Sequence, residues 1–359
     1  RGKGIIHIEV AQPRQLRHEC RIVLFLAGVK AGVFQHRNAA VFQSQRFRNH
    51  RVANAIRKKA HPTPQHLVQR VHHLDQREFV RMHALGPPEV RQQQHARAAG
   101  TLARMPLSPY RRRPVIALTC WLAEELRHLR PSDRRELVAA YAAVDRFVFW
   151  SSNQREIYLD AGIGPGRLID VQYGVDVDFY TGDPAAARSI PFLTVGQDRG
   201  RDYATLWRAI EGSELTVDVV CPPPRLGKGV PTSNVTLHGA VPHRRYSQLL
   251  REARTVVVPT HELAYPTGQS VALEAAASGA CVVVAATVAM REYFEDGVTA
   301  FLYAPGDPDS LRAAMRRAVR SQERADVADR AQRAARERWS TSRMWADIAE
   351  GLSGTGIAI

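Results

Sequence analysis

The chain has 359 residues, of which 45% are hydrophobic and 24% are charged, and its formal net charge is +15. The length allows two domains of ordinary size, and the hydrophobic share is that of a globular protein, which excludes disorder throughout the chain. The longest apolar runs, residues 22–29 and 281–290, are much shorter than the roughly 20 residues that a membrane-spanning helix needs.

Residues 1–100 differ in composition from the rest of the chain. They hold 18 Lys and Arg against 5 Asp and Glu, and no Tyr or Trp, whereas the remaining residues hold 32 basic and 30 acidic side chains. One interpretation is a basic arm that binds nucleic acid or an anionic surface. The basic residues are scattered and have no Tyr or Trp beside them to stack on bases, which makes nucleic acid the weaker interpretation. The alternative is an atypical segment over 1–112 that is disordered or read in a wrong frame, in which residues 21–28 fit one buried strand followed by a glycine turn.

From residue 113 onward, short buried strands alternate with helices. Strands are predicted at residues 114–119, 146–150, 168–173, 192–196, 215–220, 235–239, 255–259 and 281–285. Helices are predicted at residues 121–127, 134–143, 151–159, 204–210, 246–252, 270–278 and 325–338. This alternation predicts an α/β fold with doubly wound parallel sheets. A polar linker near 181–189 predicts two units, the latter part of a first domain over 113–183 and a second domain over 184–338.

Two loops of the second domain have the composition of an anion site at the ends of strands. The candidate binding residues in them are Gly196, Arg199, Arg201, Thr267, Gly268, Gln269, Ser270 and Glu274. Glycines let backbone amides approach a ligand, a helix N-terminus favours an anion, and arginine neutralises a diphosphate. Glu274, one turn into the helix, can accept hydrogen bonds from a ribose diol. A purely structural interpretation stays open, in which Thr267 or Ser270 caps the helix and Glu274 is a first-turn carboxylate.

Several sequence blocks between residues 146 and 319 carry a family resemblance. The blocks are SSNQ at 151–154, AGI at 161–163, YGVDVDF at 173–179, FLTVGQDRGRDY at 192–203, VTLHGAV at 235–241, VVVP at 256–259, GQSVALEAAASGACVVVA at 268–285 and EDGVTAFL at 295–302. In this order they resemble the retaining glycosyltransferases of family four, which have the GT-B fold of two facing Rossmann-like domains.

The resemblance implies a nucleotide-diphosphate-sugar donor held by the second domain. Arg199 or Arg201 would meet the diphosphate, residues 268–270 would present amides and hydroxyls to it, and Glu274 would hold the ribose. Transfer would proceed with retention of configuration and without a metal or another cofactor, because the helix end and arginine would stabilise the leaving group. The resemblance also implies that the last helix, over 339–359, returns to the first domain. Its predicted apolar stripe holds Trp339, Met344, Trp345 and Ile348.

Two departures from the family limit what the resemblance assigns. Pro266 stands where the family usually has a second glutamate, eight residues before Glu274, and the nearest carboxylate is Glu262. The catalytic residues are therefore unknown. Residues 1–100 stand where the family has the opening strand of its first domain and its acceptor site, so the first domain is predicted to be incomplete. The acceptor, a carbohydrate or another compound, is unassigned.

Other features of the sequence leave weaker alternatives. Asp176 and Asp178 fit a DxD metal motif, but they lie in a domain-end loop, so no metal site is predicted. Four widely spaced cysteines disfavour structural zinc and favour the cytoplasm. The open alternatives are an inactive or truncated GT-B protein, a nucleotide-sugar epimerase of the same fold, and a basic nucleic-acid-binding protein. Peripheral membrane contact is also open.

Overall fold

The computed structural model of the protein describes residues 4–8, 24–30, 101, 114–182, 187–231 and 233–353, and for 4–8 and 24–30 it describes the backbone alone. Most of the predicted atypical segment lies outside these residues. The strands in this part of the chain are β1 (Gly4–Ile8), β2 (Leu24–Lys30), β3 (Val115–Leu118), β4 (Arg146–Phe149), β5 (Leu168–Asp170), β6 (Ile190–Val195), β7 (Val217–Val220), β8 (Val235–Leu237), β9 (Ala253–Val258), β10 (Cys281–Ala285) and β11 (Phe301–Tyr303). The helices are α1 (Leu122–His128), α2 (Pro131–Ala140), α3 (Gln154–Asp160), α4 (Tyr203–Ile210), α5 (His243–Glu252), α6 (Gln269–Ala277), α7 (Pro308–Val319), α8 (Ser321–Arg338) and α9 (Thr341–Ser353).

The second domain is a parallel six-stranded sheet with helices on both faces. Its strand order is β11-β10-β9-β6-β7-β8, and every neighbouring pair is parallel. Successive side chains of β10 enter opposite cores: Val282 packs in one cluster with Leu273 of α6, and Val283 packs in the other with Leu311 of α7. Because β10 is buried on both faces, its sequence is a continuous apolar run and does not alternate.

The first domain contains a five-stranded mixed sheet in the order β1-β2-β3-β4-β5. The pairs β3–β4 and β4–β5 are parallel, as expected, but β1–β2 and β2–β3 are antiparallel. The parallel pairing predicted from residue 113 onward is therefore confirmed, and the antiparallel pairs both involve strands of residues 1–100, for which no parallel sheet was predicted. Antiparallel neighbours need no helical crossover, so a strand outside the alternating pattern can pair at the edge. Gly28, predicted to form a turn, lies inside β2.

The chain crosses between the two domains at two adjacent places. Val175 N donates to the carbonyl of Trp339 at 2.9 Å, and Thr341 N donates to the carbonyl of Val175 at 2.9 Å. Gly174 lies so close to this contact that a Cβ on it would collide with the backbone carbonyl of Ser340. The glycine therefore permits the outgoing and returning segments to touch.

Helix α9 packs against the first sheet. Met344 and Ile348 lie in one buried cluster with Ile116 of β3 and Val148 of β4. Trp339 does not belong to this stripe, contrary to the sequence prediction. It ends α8 and packs in the core of the second domain, with its ring centroid 5.0 Å from that of Phe294.

Three elements were missed by the sequence analysis, namely β1 near the start of the chain, β11 and α7. Strand β11 has only three residues, too few for a periodic pattern. Helix α7 carries a stronger signal, because the Asp307 carboxylate accepts hydrogen bonds from the amides of Asp309 and Ser310 and Pro308 stands in the first turn. Among the described residues, no helix combines the length and the apolar character needed to cross a bilayer.

Candidate functional site

A cleft of about 620 Å³ lies between the two sheets and holds most of the predicted site residues. The carboxyl ends of β3, β6 and β9 open towards it, which is where doubly wound sheets bind ligands. The wall from the first domain and α9 is formed by Leu118, Cys120, Trp121, Trp150, Tyr173, Met344 and Trp345. The wall from the second domain includes Asp198, Arg201, Thr267, Gly268, Gln269, Ser270 and Glu274.

The guanidinium of Arg201 lies between two glycines of the second domain. Gly196 follows β6 with a φ of 145°, and Gly268 precedes α6 with a φ of 78°. A Cβ on Gly196 would collide with Nε of Arg201, and a Cβ on Gly268 would collide with Nη1. Glycine meets both needs, the unusual backbone conformation and the close approach. The structure thus brings three predicted residues into direct contact.

Arg201 places a buried positive charge beside the N-terminus of α6. Its side chain is 3% exposed, and its Nε lies 3.1 Å from Oδ2 of Asp198. Nε is thus ion-paired with Asp198, whereas Nη1 has no hydrogen-bond partner among the described residues. A buried donor without a partner costs about 1–3 kcal/mol. Nη1 of Arg201 and the amides at the helix N-terminus are therefore the donors that this corner of the cleft offers to an anion, next to the carboxylate of Asp198.

Asp198 connects the two loops that the sequence singled out. The Thr267 hydroxyl donates to Oδ1 of Asp198 at 3.0 Å, and Gly200 N donates to the same oxygen at 2.9 Å. Thr267 is buried. Its hydroxyl, which was expected to meet the anion, is engaged by Asp198 in this structure and fixes the loop geometry instead. The sequence analysis missed Asp198.

The first turn of α6 presents Gln269 and Ser270 to the cleft. The N-cap position is Gly268, and no side chain makes a capping hydrogen bond there. The structural interpretation of Thr267 or Ser270 as a helix cap is therefore wrong. Gln269 is buried, and its Oε1 has no hydrogen-bond partner in the described part of the chain. Polar groups at this helix end are available to a ligand.

Glu274 lies one turn further along α6 and also lines the cleft. The Tyr246 hydroxyl donates a short hydrogen bond to its Oε2, and the Tyr180 hydroxyl bonds to the same carboxylate. Burial raises the pKa of Glu274 to about 7, although both tyrosine hydrogen bonds and the charge of Arg201 act to lower it. Glu274 is thus a largely desolvated carboxyl group that changes ionisation near neutral pH.

Arg199 lies apart from the predicted anion site. Its guanidinium carbon is 3.9 Å from the centroid of the Trp121 ring, and it lines a separate hollow of about 510 Å³ together with Glu124 and Leu137. Of the two arginines that the sequence offered for a diphosphate, Arg201 is the one that the structure brings to α6.

The position that usually holds a second glutamate in the resembled family contributes no carboxylate here. Pro266 lines the cleft, whereas Glu262 is exposed and accepts hydrogen bonds of 3.2 and 3.3 Å from the amide of Val288. Partial desolvation of its carboxyl group, although the residue as a whole is exposed, raises the pKa of Glu262 above its ordinary value. Glu262 therefore lies outside the group of residues around Arg201.

The sequence analysis missed the aromatic residues around Glu274. Tyr180 Oη lies 2.9 Å from His243 Nε2, and the His243 ring stacks on Phe179 with an interplanar angle of 12°. His243 and Tyr246 are three residues apart on α5, so their shared helix face was a usable signal. Tyr180 could not be found in this way, because it follows β5 in a separate part of the chain.

Two carboxylates hold the domains together beside the cleft. Glu124 of α1 accepts a 2.7 Å hydrogen bond from the amide of Ala264 in the second domain. In the opposite direction, Glu292 accepts hydrogen bonds from the Ser152 amide at 2.9 Å and the Ser152 hydroxyl at 2.8 Å. Each pair is 140 residues apart in sequence, so no local pattern reveals it.

The DxD motif closes a turn. Oδ1 of Asp176 accepts a 3.0 Å hydrogen bond from the amide of Phe179. Among the residues that the structure describes, no group of three or more His, Cys, Asp and Glu side chains is arranged to hold a metal ion.

Comparisons with known proteins agree with this geometry. Residues 206–321 match the family model described as glycosyl transferases group 1. The crystal structure of Anabaena HepE in complex with UDP-glucose is similar with a TM-score of 0.58 and 18% identity, covering 73% of this chain and 77% of that chain. Sucrose-phosphate synthase from Thermosynechococcus elongatus is similar with a TM-score of 0.53 and 17% identity, covering 67% of each chain. No curated protein matches the sequence significantly. The predicted GT-B fold is confirmed, and residues 206–321 are similar in sequence to the group 1 glycosyltransferases.

Proposed function

We propose that the protein is a retaining glycosyltransferase of the family-four type, which transfers a sugar from a nucleotide-diphosphate-sugar donor to an acceptor. The observation that carries the proposal is the buried guanidinium of Arg201 at the N-terminus of α6, inside the interdomain cleft. It is supported by the fold and by the glycosyltransferase match over residues 206–321. HepE, a structural neighbour, has been crystallised with UDP and with UDP-glucose.

Arg201 and the N-terminus of α6 would stabilise the leaving diphosphate. Negative charge grows on the diphosphate as the bond between the sugar and the phosphate oxygen breaks. A fixed guanidinium and helix amides aimed at that charge lower the barrier without reorganising during the reaction. Gly268 would admit the phosphates close to the backbone, and Gln269 and Ser270 would add polar contacts beside it.

Glu274 would bind the ribose of the donor. It lies one turn beyond the proposed diphosphate position on the same side of α6. A carboxylate there would repel phosphate, but it can accept two hydrogen bonds from the ribose diol. Charge-assisted hydrogen bonds of this kind are about twice as strong as neutral ones.

The acceptor would enter against the wall formed by the first domain and α9. The described part of that wall is uncharged and rich in aromatic residues, with Trp150, Tyr173 and Trp345 lining the cleft. Such rings suit the apolar face of a sugar or of another hydroxyl compound. We infer a cytoplasmic location as well, supported by Cys120, Cys221 and Cys281, which are buried free thiols.

The proposal is tested by hydrolysis of a donor in the absence of an acceptor. The full chain is incubated with UDP-glucose, GDP-glucose and ADP-glucose, and the anomer first released is identified by proton NMR. We expect one donor to yield sugar of the donor's own anomeric configuration, and Arg201→Met to lose this activity. Release of the opposite anomer would contradict retention, and failure of all three donors to bind would contradict the proposed function.

An epimerase of the same fold predicts a different product. It would convert the sugar of the nucleotide donor into its epimer or eliminate it from the diphosphate, and the same NMR spectra would reveal that product. The described cleft walls contain two carboxylates, Asp198 and Glu274, and Asp198 is engaged by Thr267. We therefore favour the transferase.

A further inference from the structure

Tyr246 and Glu274 form a hydrogen-bonded pair at the inner end of the cleft. Tyr246 lies on α5, is 4% exposed, and donates its hydroxyl to Oε2 of Glu274 on α6. The carboxylate of Glu274 also bonds to the hydroxyl of Tyr180, which in turn contacts His243. Two phenol hydroxyls therefore fix the orientation of this carboxylate.

The ionisable groups that face Glu274 come from three places, two in the second domain and one in the segment that leads into it. Helix α5 supplies Tyr246, the segment after β5 supplies Tyr180, and the loop after β6 supplies Arg201. Through Tyr180, His243 of α5 is also connected. Helix α8 packs on the far end of α6, where the uncharged Gln332 donates to the carbonyl of Ala277 at 3.1 Å.

We propose that Tyr246 is a positioning residue that sets both the orientation and the ionisation of Glu274, so that donor binding is coupled to release of a proton from this carboxyl group. The inference rests on the proposed function, because it requires the ribose of the donor to lie at Glu274. On binding, the carboxylic acid of Glu274 loses one proton to solvent, and the resulting carboxylate accepts hydrogen bonds from the ribose hydroxyls.

The sign of the coupling follows from the chemistry of the pair. Ribose hydroxyls donate hydrogen bonds, and an ionised carboxylate accepts them more strongly than a protonated one. Burial raises the pKa of Glu274 to about 7. Donor affinity should therefore rise with pH through neutrality. The hydrogen bond from Tyr246 favours the ionised form, so removing it should move the transition to higher pH.

The test is a pH series of calorimetric titrations of the full chain with UDP-glucose, or with the bound member of the donor panel. A nucleotide sugar is used because it lacks the phosphate monoester whose second pKa, about 6, would titrate in the same range. For the parent we expect affinity to rise roughly five- to tenfold between pH 6 and pH 8. For Tyr246→Phe we expect the midpoint to rise by about one pH unit, with affinity at pH 9 within about threefold of the parent.

Three further variants show which group causes the pH dependence of donor affinity. Glu274→Gln should bind weakly at every pH, without a transition. Tyr158→Phe, which removes another buried hydroxyl bonded to Thr119 in the first domain, should behave like the parent. An ordinary histidine titrates near pH 6.5, so His243 is the other group that could cause a pH dependence near neutrality. We expect His243→Gln to keep the transition, because Glu274 is its source.

Several results would overturn the inference. These are a pH-independent affinity of the parent, a loss of the transition in His243→Gln, and an equal weakening by Tyr246→Phe at every pH, which a merely structural tyrosine would give. In each of these cases the donor still binds, so the proposed function stands. Absence of binding by every donor would instead overturn the proposed function together with this inference.

Discussion

The guanidinium of Arg201 occupies the space that a Cβ on Gly268 would need. Gly268 therefore has two roles. It adopts the left-handed conformation before α6, and it leaves room for the guanidinium of Arg201 at the helix N-terminus. A side chain from the loop after β6, Arg201, thus requires glycine at position 268 in the loop before α6. This contact forms the proposed diphosphate site, because it joins the two sources of positive potential.

We predict that Gly268→Ala weakens both folding and donor binding. The left-handed conformation costs an alanine about 1–2 kcal/mol, and the collision with Arg201 and Val258 adds to that cost. Urea unfolding and calorimetry with UDP-glucose would measure the two effects.

Gly212→Ala is the matched control for Gly268→Ala. Gly212 has a φ of 65°, but a Cβ there would meet nothing within 4 Å. It should lose about 1–2 kcal/mol of stability from the strained conformation alone and keep its donor affinity. Equal affinities of the two variants would show that Gly268 does not position Arg201.

Glu274→Gln should bind the donor less tightly and yet be more stable than the parent at alkaline pH. Burial raises the pKa of Glu274 from 4.5 to about 7, so the folded protein retains a proton that the unfolded chain releases between these values. The contribution of Glu274 to the stability of the parent therefore falls as pH rises through this window.

The comparison is made by urea unfolding at pH 5 and at pH 8. Because glutamine cannot ionise, we expect the variant to be close to the parent at pH 5 and more stable by roughly 1–3 kcal/mol at pH 8. The exposed Glu350→Gln is the control and should show no such pH dependence. A stability difference of Glu274→Gln that is constant with pH would contradict the desolvated environment.

Gly174→Ala should destabilise the contact between the two chain crossings. A Cβ on Gly174 would meet the backbone of Ser340, which cannot move away as a flexible side chain would. We expect a loss of about 1–3 kcal/mol in the free energy of unfolding. Gly166→Ala, where a Cβ would meet nothing within 4 Å, should be nearly neutral. Similar stabilities of the two variants would contradict the close approach.

The sequence predicted those parts of the fold and site that depend on local patterns. The alternation of strands and helices around β10 and α6 is visible in the sequence because each element has its own pattern of apolar residues. Gly268 and the residues up to Glu274 likewise mark the start of a helix. The antiparallel pairing of β2 was not predictable, since it depends on a partner more than eighty residues away.

The side chains that surround the site were harder to predict. Asp198 and Tyr246 act through contacts with Thr267 and Glu274 that only the folded chain creates. The choice between Arg199 and Arg201 likewise depended on which side chain the two glycines could admit. Trp339 was misplaced because α8 ends there and α9 begins two residues later, which rotates the apolar stripe.

The most direct test of the account is calorimetric titration of UDP-glucose, or of the bound member of the donor panel, into the full chain, Arg201→Met and Arg199→Met. Methionine keeps much of the side-chain volume and removes the charge, and urea unfolding of each variant checks the fold. A hydrogen bond to a charged group contributes about 1.5–3 kcal/mol, so we predict that Arg201→Met weakens binding roughly 10- to 150-fold while Arg199→Met stays within about threefold of the parent. Parent-like binding by a folded Arg201→Met variant would contradict the donor site at the N-terminus of α6.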